Sequence, residues 1–302
     1  MAKVKRGTTI CKIDDFNYPV EVINNPFKSN DECAKWVMGR LNNEEFFIQA
    51  CSKRYELVEN KLIFPNIEKI LNDKKHNIKF DVEYSHTQNV RFYANYMITD
   101  KRYGYTMSGT SDTIQPMLRV AHSYNGLTKY KIIFGYFRVV CSNGLTIPVQ
   151  EMKKYNLVII GKHTESILHS LDQLDTLLTV FSNEAKQITR AIVDKYELLG
   201  GRMVINVKDR VKEVLNQNKI AMIDNQKFNT VNDIVGRIIK EANGETEVEG
   251  KKVDMGYNGK VNDFLVYNGI NQYLNDDAVN IKAPEKRMEI DSKILEYMLL
   301  YA

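Results

Sequence analysis

Eight apolar residues, Ile167, Leu171, Leu174, Leu178, Phe181, Ala185, Ile188 and Ile192, follow one another at alternating steps of four and three. That spacing keeps one stripe of an α-helix apolar over many turns. The stripe continues through Tyr196 and Leu199, and Gly200-Gly201 ends it. Thr164 is a suitable N-cap, and Glu165 sits favourably in the first turn. A helix so long must be covered along its apolar side. The cover is either the rest of the chain, as in helix bundles, or a second copy. Both readings stand at this point. In the second, Leu171, Leu174, Leu178 and Phe181 form an oligomerisation seam and the chain is a homo-oligomer.

The chain divides by pattern into residues 1–85, 86–160 and 161–302, the last two forming one unit over residues 85–302. In the first part, Ser29-Asn30-Asp31-Glu32 resembles a helix start. Trp36, Val37, Leu41, Phe46, Phe47 and Ala50 then predict one or two helices. Pro65 and the stretch 72–75 read as connections. In the second part, Val90, Phe92, Ala94, Tyr96 and Ile98 alternate with Arg91, Tyr93, Asn95 and Met97, the two-residue period of a half-buried strand. Met117 to Tyr124 and Lys129 to Ser142 flank Asn125-Gly126, a strong hairpin signal because both residue types tolerate positive φ. On the second of these strands Lys129, Lys131, Ile133 and Phe137 share one side. Tyr130, Ile132, Phe134, Tyr136 and Arg138 share the other. In the third part, further helices are expected near 206–217, 229–242, 262–275 and 285–300, and the stretch from Gly244 to Gly259 reads as a mobile loop.

Charge is distributed unevenly. The net charge of the chain is +4, yet between His86 and His163 ten basic residues face only three acidic ones. Tyrosine and phenylalanine interleave with those cations. Single-strand binders need this mixture, because cations follow the phosphates and aromatic faces stack on bases. The candidate contacts are Arg91, Tyr93, Arg119, Tyr124, Lys129, Lys131, Tyr136 and Arg138. The same composition also fits a sheet with an aromatic core and solvated lysines at its edge. Arg138 has two readings, a partner for a carboxylate within the fold or a contact to a phosphate.

Other chemistries find little support. The four cysteines, Cys11, Cys33, Cys51 and Cys141, match no zinc-binding spacing and are too sparse for a disulfide scaffold; reduced thiols are expected. His86, His122 and His163, with Asp112 and Cys141, lack a local ligand pair, so neither metal nor cofactor is expected. Cys141 as a nucleophile with His122 or His163 as base is the one covalent arrangement to weigh, against simple burial of a strand cysteine. The phosphate-binding, dinucleotide-binding and zinc-protease motifs are absent. No apolar run has the length of a membrane span, and no signal segment is evident, so a cytoplasmic chain without a membrane partner is expected.

One run carries a resemblance. Phe137-Arg138-Val139-Val140-Cys141-Ser142-Asn143-Gly144-Leu145 closely resembles the Arg-x-Val-Cys-Ser/Thr-Asn signature of the phage- and plasmid-borne family called domain of unknown function 932. Ser123-Tyr124-Asn125-Gly126 occupies the place of a second family segment, with Leu127 where a small residue is usual. Val266 to Leu274 resembles a third, with Gly269, Asn271 and Gln272 replacing the usual Ala, Thr and Glu. The resemblance spans roughly residues 85–300. It marks Asn125, Gly126, Arg138, Cys141, Asn143 and Gly144 as motif positions, implies a protein of mobile elements, and implies no catalytic residue.

Together these features predict an α+β fold: an antiparallel sheet, an N-terminal helix, and a C-terminal helical region containing one long heptad-patterned helix. The expected function is non-enzymatic binding of nucleic acid, in particular single-stranded DNA, in phage or plasmid DNA metabolism, with strand annealing as its most concrete form. The rival is a virion component or an interaction protein directed at a host defence protein. A nuclease would need a carboxylate–metal site around Asp112, and no second carboxylate is paired with it in the sequence.

Overall fold

The computed structural model describes residues 4–5, 8–27, 30–138, 144–145, 158–161, 164–222, 229–248, 251–274 and 284–301. The fold is mixed α+β, with antiparallel sheets and helices. It divides into two compact units, residues 1–98, 118–134 and 156–183 in the first and residues 99–117, 135–155 and 184–302 in the second.

The first unit is built on a sheet. Its strands, in spatial order, are β1 (Val4–Lys5), β2 (Thr8–Cys11), β6 (Phe80–Thr87), β7 (Arg91–Ile98), β9 (Thr113–Ser123) and β10 (Tyr130–Arg138), with β12 (Val158–Gly161) against β10. The β6–β7 hairpin is closed by Gln88 and Asn89, both at φ +54°, the mirror-image turn that suits the right-handed strand twist. The strong alternation of residues 90–98 is therefore a real strand. The Asn125-Gly126 connection is present too, but wider than a two-residue turn. Gly126 takes φ +66°, while the Asn125 side chain accepts a hydrogen bond from the Leu127 amide.

A second sheet of the same unit corrects the reading of residues 31–50. No α-helix forms there. β3 (Val20–Asn24), β4 (Lys35–Leu41) and β5 (Glu44–Cys51) make an antiparallel meander, and Asn42 and Asn43 turn between the last two at φ +53° and +66°. The apolar spacing fits either period over so short a run, and the Asn-Asn pair decides for a hairpin. The N-terminal helix lies further on, as α1 (Asn60–Leu71), and includes Pro65. Pro65 is exposed, and the Asn66 side-chain amide donates to the Leu62 carbonyl. Ile63, Phe64, Ile67 and Leu71 form the buried stripe of this helix. Phe16 centres the core, its ring 4.9 Å from Phe64, 5.2 Å from Tyr84 and 5.1 Å from Phe92.

β9, β10 and the long helix α2 (Thr164–Gly200) carry residues of both units. The remainder of the second unit is helical: α3 (Val207–Gln217), α4 (Thr230–Ala242), α5 (Asp263–Leu274) and α6 (Pro284–Leu300). Asn206 and Asn229 cap α3 and α4 through their side chains. β8 (Tyr105–Thr106) and β11 (Gly144–Leu145) pair β9 and β10 respectively. Residues 244–259 are not a plain loop, because Thr246–Val248 (β13) and Lys251–Val253 (β14) pair as a small ribbon. Cys11, Cys33 and Cys51 are free thiols. Among the described residues no helix is long and apolar enough to cross a membrane.

Candidate nucleic-acid interface

The two faces of the main sheet differ in the residues that they carry, although Tyr93 and Ala121 of the odd-numbered side are buried as well. Even-numbered residues of its central strands point to a filled side. Phe92 meets Tyr124 at 5.0 Å, His122 meets Tyr130 at 6.2 Å, and Phe134 meets Phe181 of α2 at 4.4 Å between ring centres. Odd-numbered residues therefore share the opposite side: Arg91, Tyr93 and Asn95 on β7, Arg119 on β9 and Lys131 on β10. One contact confirms that placement across strands, since Arg119 Nε donates to Asn95 Oδ1 at 2.8 Å. Arg91, Asn95, Arg119 and Lys131 are each half-buried, and Lys129 is exposed just before β10. Asp81 and Glu83 also lie on this side, on neighbouring β6, where Glu83 pairs with Asn95 in register. Cations thus stand on β7, β9 and β10, with carboxylates to one flank.

The aromatic half of the expected interface is corrected. Tyr93, Tyr124 and Tyr136 are 4%, 1% and 0% exposed and offer no face to a base. The Tyr124 hydroxyl accepts the Asn60 amide at 2.9 Å, and the Tyr136 hydroxyl bonds with Thr189 at 2.9 Å. For these two the physical reason is coverage. Rings on a sheet face covered by helices fill the core, where each removes a large apolar area from water. Tyr93 lies on the odd-numbered side and is buried there between half-buried neighbours.

Arg138 also leaves the interface. It is 2% exposed in the second unit, with Nε donating to Asp112 Oδ1 at 3.1 Å and Nη2 donating to both Asp112 Oδ2 and Glu241 Oε1. Tyr257 adds a hydrogen bond to Asp112 Oδ2 at 2.9 Å, and the guanidinium lies 5.4 Å from the centre of the Phe264 ring. Burial, together with the adjacent Asp112 carboxylate, pushes the Tyr257 pKa up. A cleft of about 520 Å³ above this cluster is lined by Arg237, Lys240, Glu241, Glu245 and Lys252, cations and acids in near balance. Arg138 is therefore a carboxylate-paired anchor, the first of its two readings. Glu241 and Tyr257 could not be tied to it from sequence, since they lie far along the chain.

The heptad residues resolve similarly. Leu174, Leu178 and Phe181 are all fully buried within the chain, and Leu171 is half-buried. The apolar surface of Leu174, Leu178 and Phe181 is already covered within the chain, which favours the internal-packing reading of the stripe. Of the motif positions, Cys141 and Asn143 lie outside the described residues, as does His163. Gly144 opens β11 opposite Phe137, and Asn125 and Gly126 form the hairpin loop. Among the described residues no three His, Cys, Asp or Glu side chains come together in a way that could hold a metal ion.

His122 is a buried titratable group of the first unit. Its Nδ1 lies 3.0 Å from Asn60 Oδ1. Asn60 is oriented by its own Nδ2, which donates to the Phe16 carbonyl at 3.0 Å, so Oδ1 accepts and the imidazole carries its proton on Nδ1. Burial pushes the His122 pKa down to about 3. With a folded pKa below the unfolded value, the unfolded chain takes the proton first. Stability is thus complete above about pH 6.5 and falls toward pH 3, by about 1.4 kcal/mol per pH unit. His86, also lowered by burial, acts in the same direction. His122→Gln should therefore flatten the acid-side decline in denaturant midpoint, removing about 2 kcal/mol of pH dependence between about pH 6.5 and pH 5. An unchanged slope would show that the ring titrates normally.

These parts coincide with a known sequence unit. Residues 48–195 match the family model described as Domain of unknown function (DUF932). Just under half of the chain is thus similar to that family. The match is shifted toward the N-terminus relative to the residues that carry the sequence resemblance: it begins within β5, takes in α1 and ends within α2. Arg91, Asn95, Arg119, His122, Lys131, Asp112 and Arg138 all fall inside the match, whereas Glu241, Tyr257 and the Val266 to Leu274 segment lie beyond it. No curated protein and no solved structure matches the chain.

Proposed function

We propose that this protein is a non-enzymatic nucleic-acid-binding protein of phage or plasmid DNA metabolism, which holds single strands against the odd-numbered face of its main sheet. The observation that supports this reading is the presence of Arg91, Arg119 and Lys131, from three strands, on one face, where Arg119 donates to the Asn95 amide oxygen. Cations spaced across adjacent strands can follow a phosphate backbone. With the tyrosines inside, binding rests on phosphate contacts and carries little sequence preference.

The test is anisotropy of a labelled single-stranded oligonucleotide at several salt concentrations, with duplex as competitor. Binding should weaken steeply with salt. Arg91→Ala, Arg119→Ala and Lys131→Ala together should reduce the log–log salt slope by about 2, at roughly 0.7 for each phosphate that a cation no longer neutralises. Binding that the triple variant leaves intact would remove the face from consideration. Annealing needs several copies on a strand, and light scattering with and without oligonucleotide reads that directly.

One observation favours an interaction protein instead. Phe27 and Phe47 are 69% and 53% exposed and flank Trp36, with ring centres 5.6 Å and 5.2 Å from it. Exposed aromatic clusters of this kind mark protein contacts. Trp36 is the single tryptophan of the chain, so its emission reports on that surface alone. A salt-insensitive association that shifts this emission would favour the second reading.

A further inference from the structure

On the filled side of the first unit, a cleft of about 290 Å³ opens beside the hairpin loop, and His122 lines it. The ring is 4% exposed, and its Nδ1 is committed to Asn60. Nε2 makes no hydrogen bond to a described residue and is not sealed from solvent, so an acceptor is presented to the cleft. The other polar groups of the floor are already satisfied. Ser123 Oγ donates to the Thr128 carbonyl and accepts the Thr128 amide, and the Tyr130 hydroxyl accepts from Ser170. Val58, Tyr55 and Ile167 provide apolar walls, and the exposed Lys129 and the exposed Glu56 both line the opening.

We propose that this cleft binds a single nucleotide, base inward. A planar heterocycle fits between apolar and aromatic walls, and its ring N–H or exocyclic amine donates to His122 Nε2. The phosphate meets Lys129. The neutral imidazole is suited to this role: the hydrogen bond from Nδ1 to Asn60 fixes the tautomer, so the other nitrogen can only accept. The assignment rests on the reading of the chain as a nucleic-acid binder and adds a contact on the side of the sheet away from Arg91, Arg119 and Lys131.

The experiment uses the full chain with isotope-labelled histidine and follows both His122 ring nitrogens by NMR. The probes are the common nucleoside monophosphates, the matching nucleosides and inorganic phosphate. Nucleotides should move the Nε2 resonance and leave Nδ1 nearly unmoved. Lys129→Glu, at an exposed position, should weaken nucleotide binding about tenfold or more, the value of one charge-assisted hydrogen bond, and leave nucleoside binding unchanged. The proposal is overturned if no nucleotide moves Nε2 at millimolar concentration, or if inorganic phosphate alone reproduces the response. The Arg91/Arg119/Lys131 variant separates the two sites. If it loses oligonucleotide binding yet keeps the mononucleotide response, the cleft is independent of the face. A mononucleotide response that disappears in that variant would overturn the assignment to the cleft.

Discussion

Arg138→Ala is expected to destabilise the protein by about 3–5 kcal/mol, the usual effect of removing one partner from a buried ion cluster. The guanidinium is 2% exposed and bridges Asp112, itself 0% exposed, to Glu241. Without it two carboxylates face each other in a poorly solvated site, and Tyr257 can bond to only one of them. The denaturant midpoint should fall sharply, while Lys240→Ala, at an exposed position nearby, should stay within about 0.5 kcal/mol of the parent. Any loss of nucleic-acid binding in Arg138→Ala would then follow from unfolding of the second unit. An unchanged midpoint would mean that the cluster is not what holds β10 to its neighbours there.

Phe181→Ala carries the second large effect, about 3–5 kcal/mol. Its ring is fully buried and lies 4.4 Å from Phe134, so truncation opens a cavity between α2 and β10 within the first unit. Because the same residue belongs to the heptad stripe, the variant also separates internal packing from subunit contact. Internal packing predicts a lower midpoint with the solution mass unaltered. A change in mass at unaltered midpoint would restore the seam as an interface between copies.

The helical part of the fold was the most legible in the sequence. The four helices expected after residue 200 form within one or two residues of their anticipated limits, and the long helix runs from Thr164 to Gly200. Long apolar periods, asparagine caps and glycine stops act locally, so a linear reading captures them. Residues 31–50 failed for the complementary reason. A run of five to eight residues supports either period, and what decides is pairing with β3, a partner more than ten residues away. Pro65 misled because its exposed position within α1 depends on which side of the helix faces the core.

The candidate site divides along the same line. Alternation in the sequence was enough to place Arg91, Tyr93 and Asn95 on one side of β7 and Lys131 on one side of β10, but not to match those sides across strands. It could not say which side would be covered. The sequence by itself determined the period of each strand, the long helix and the presence of the family motif, because each depends on neighbours a few residues apart. Only the tertiary structure decided that the tyrosines are core, that Arg138 belongs to Asp112 and Glu241, and that His122 lies buried with its proton held toward Asn60. Those outcomes depend on what comes to rest against each face, and burial, with the exclusion of water that accompanies it, is a property of the packed chain.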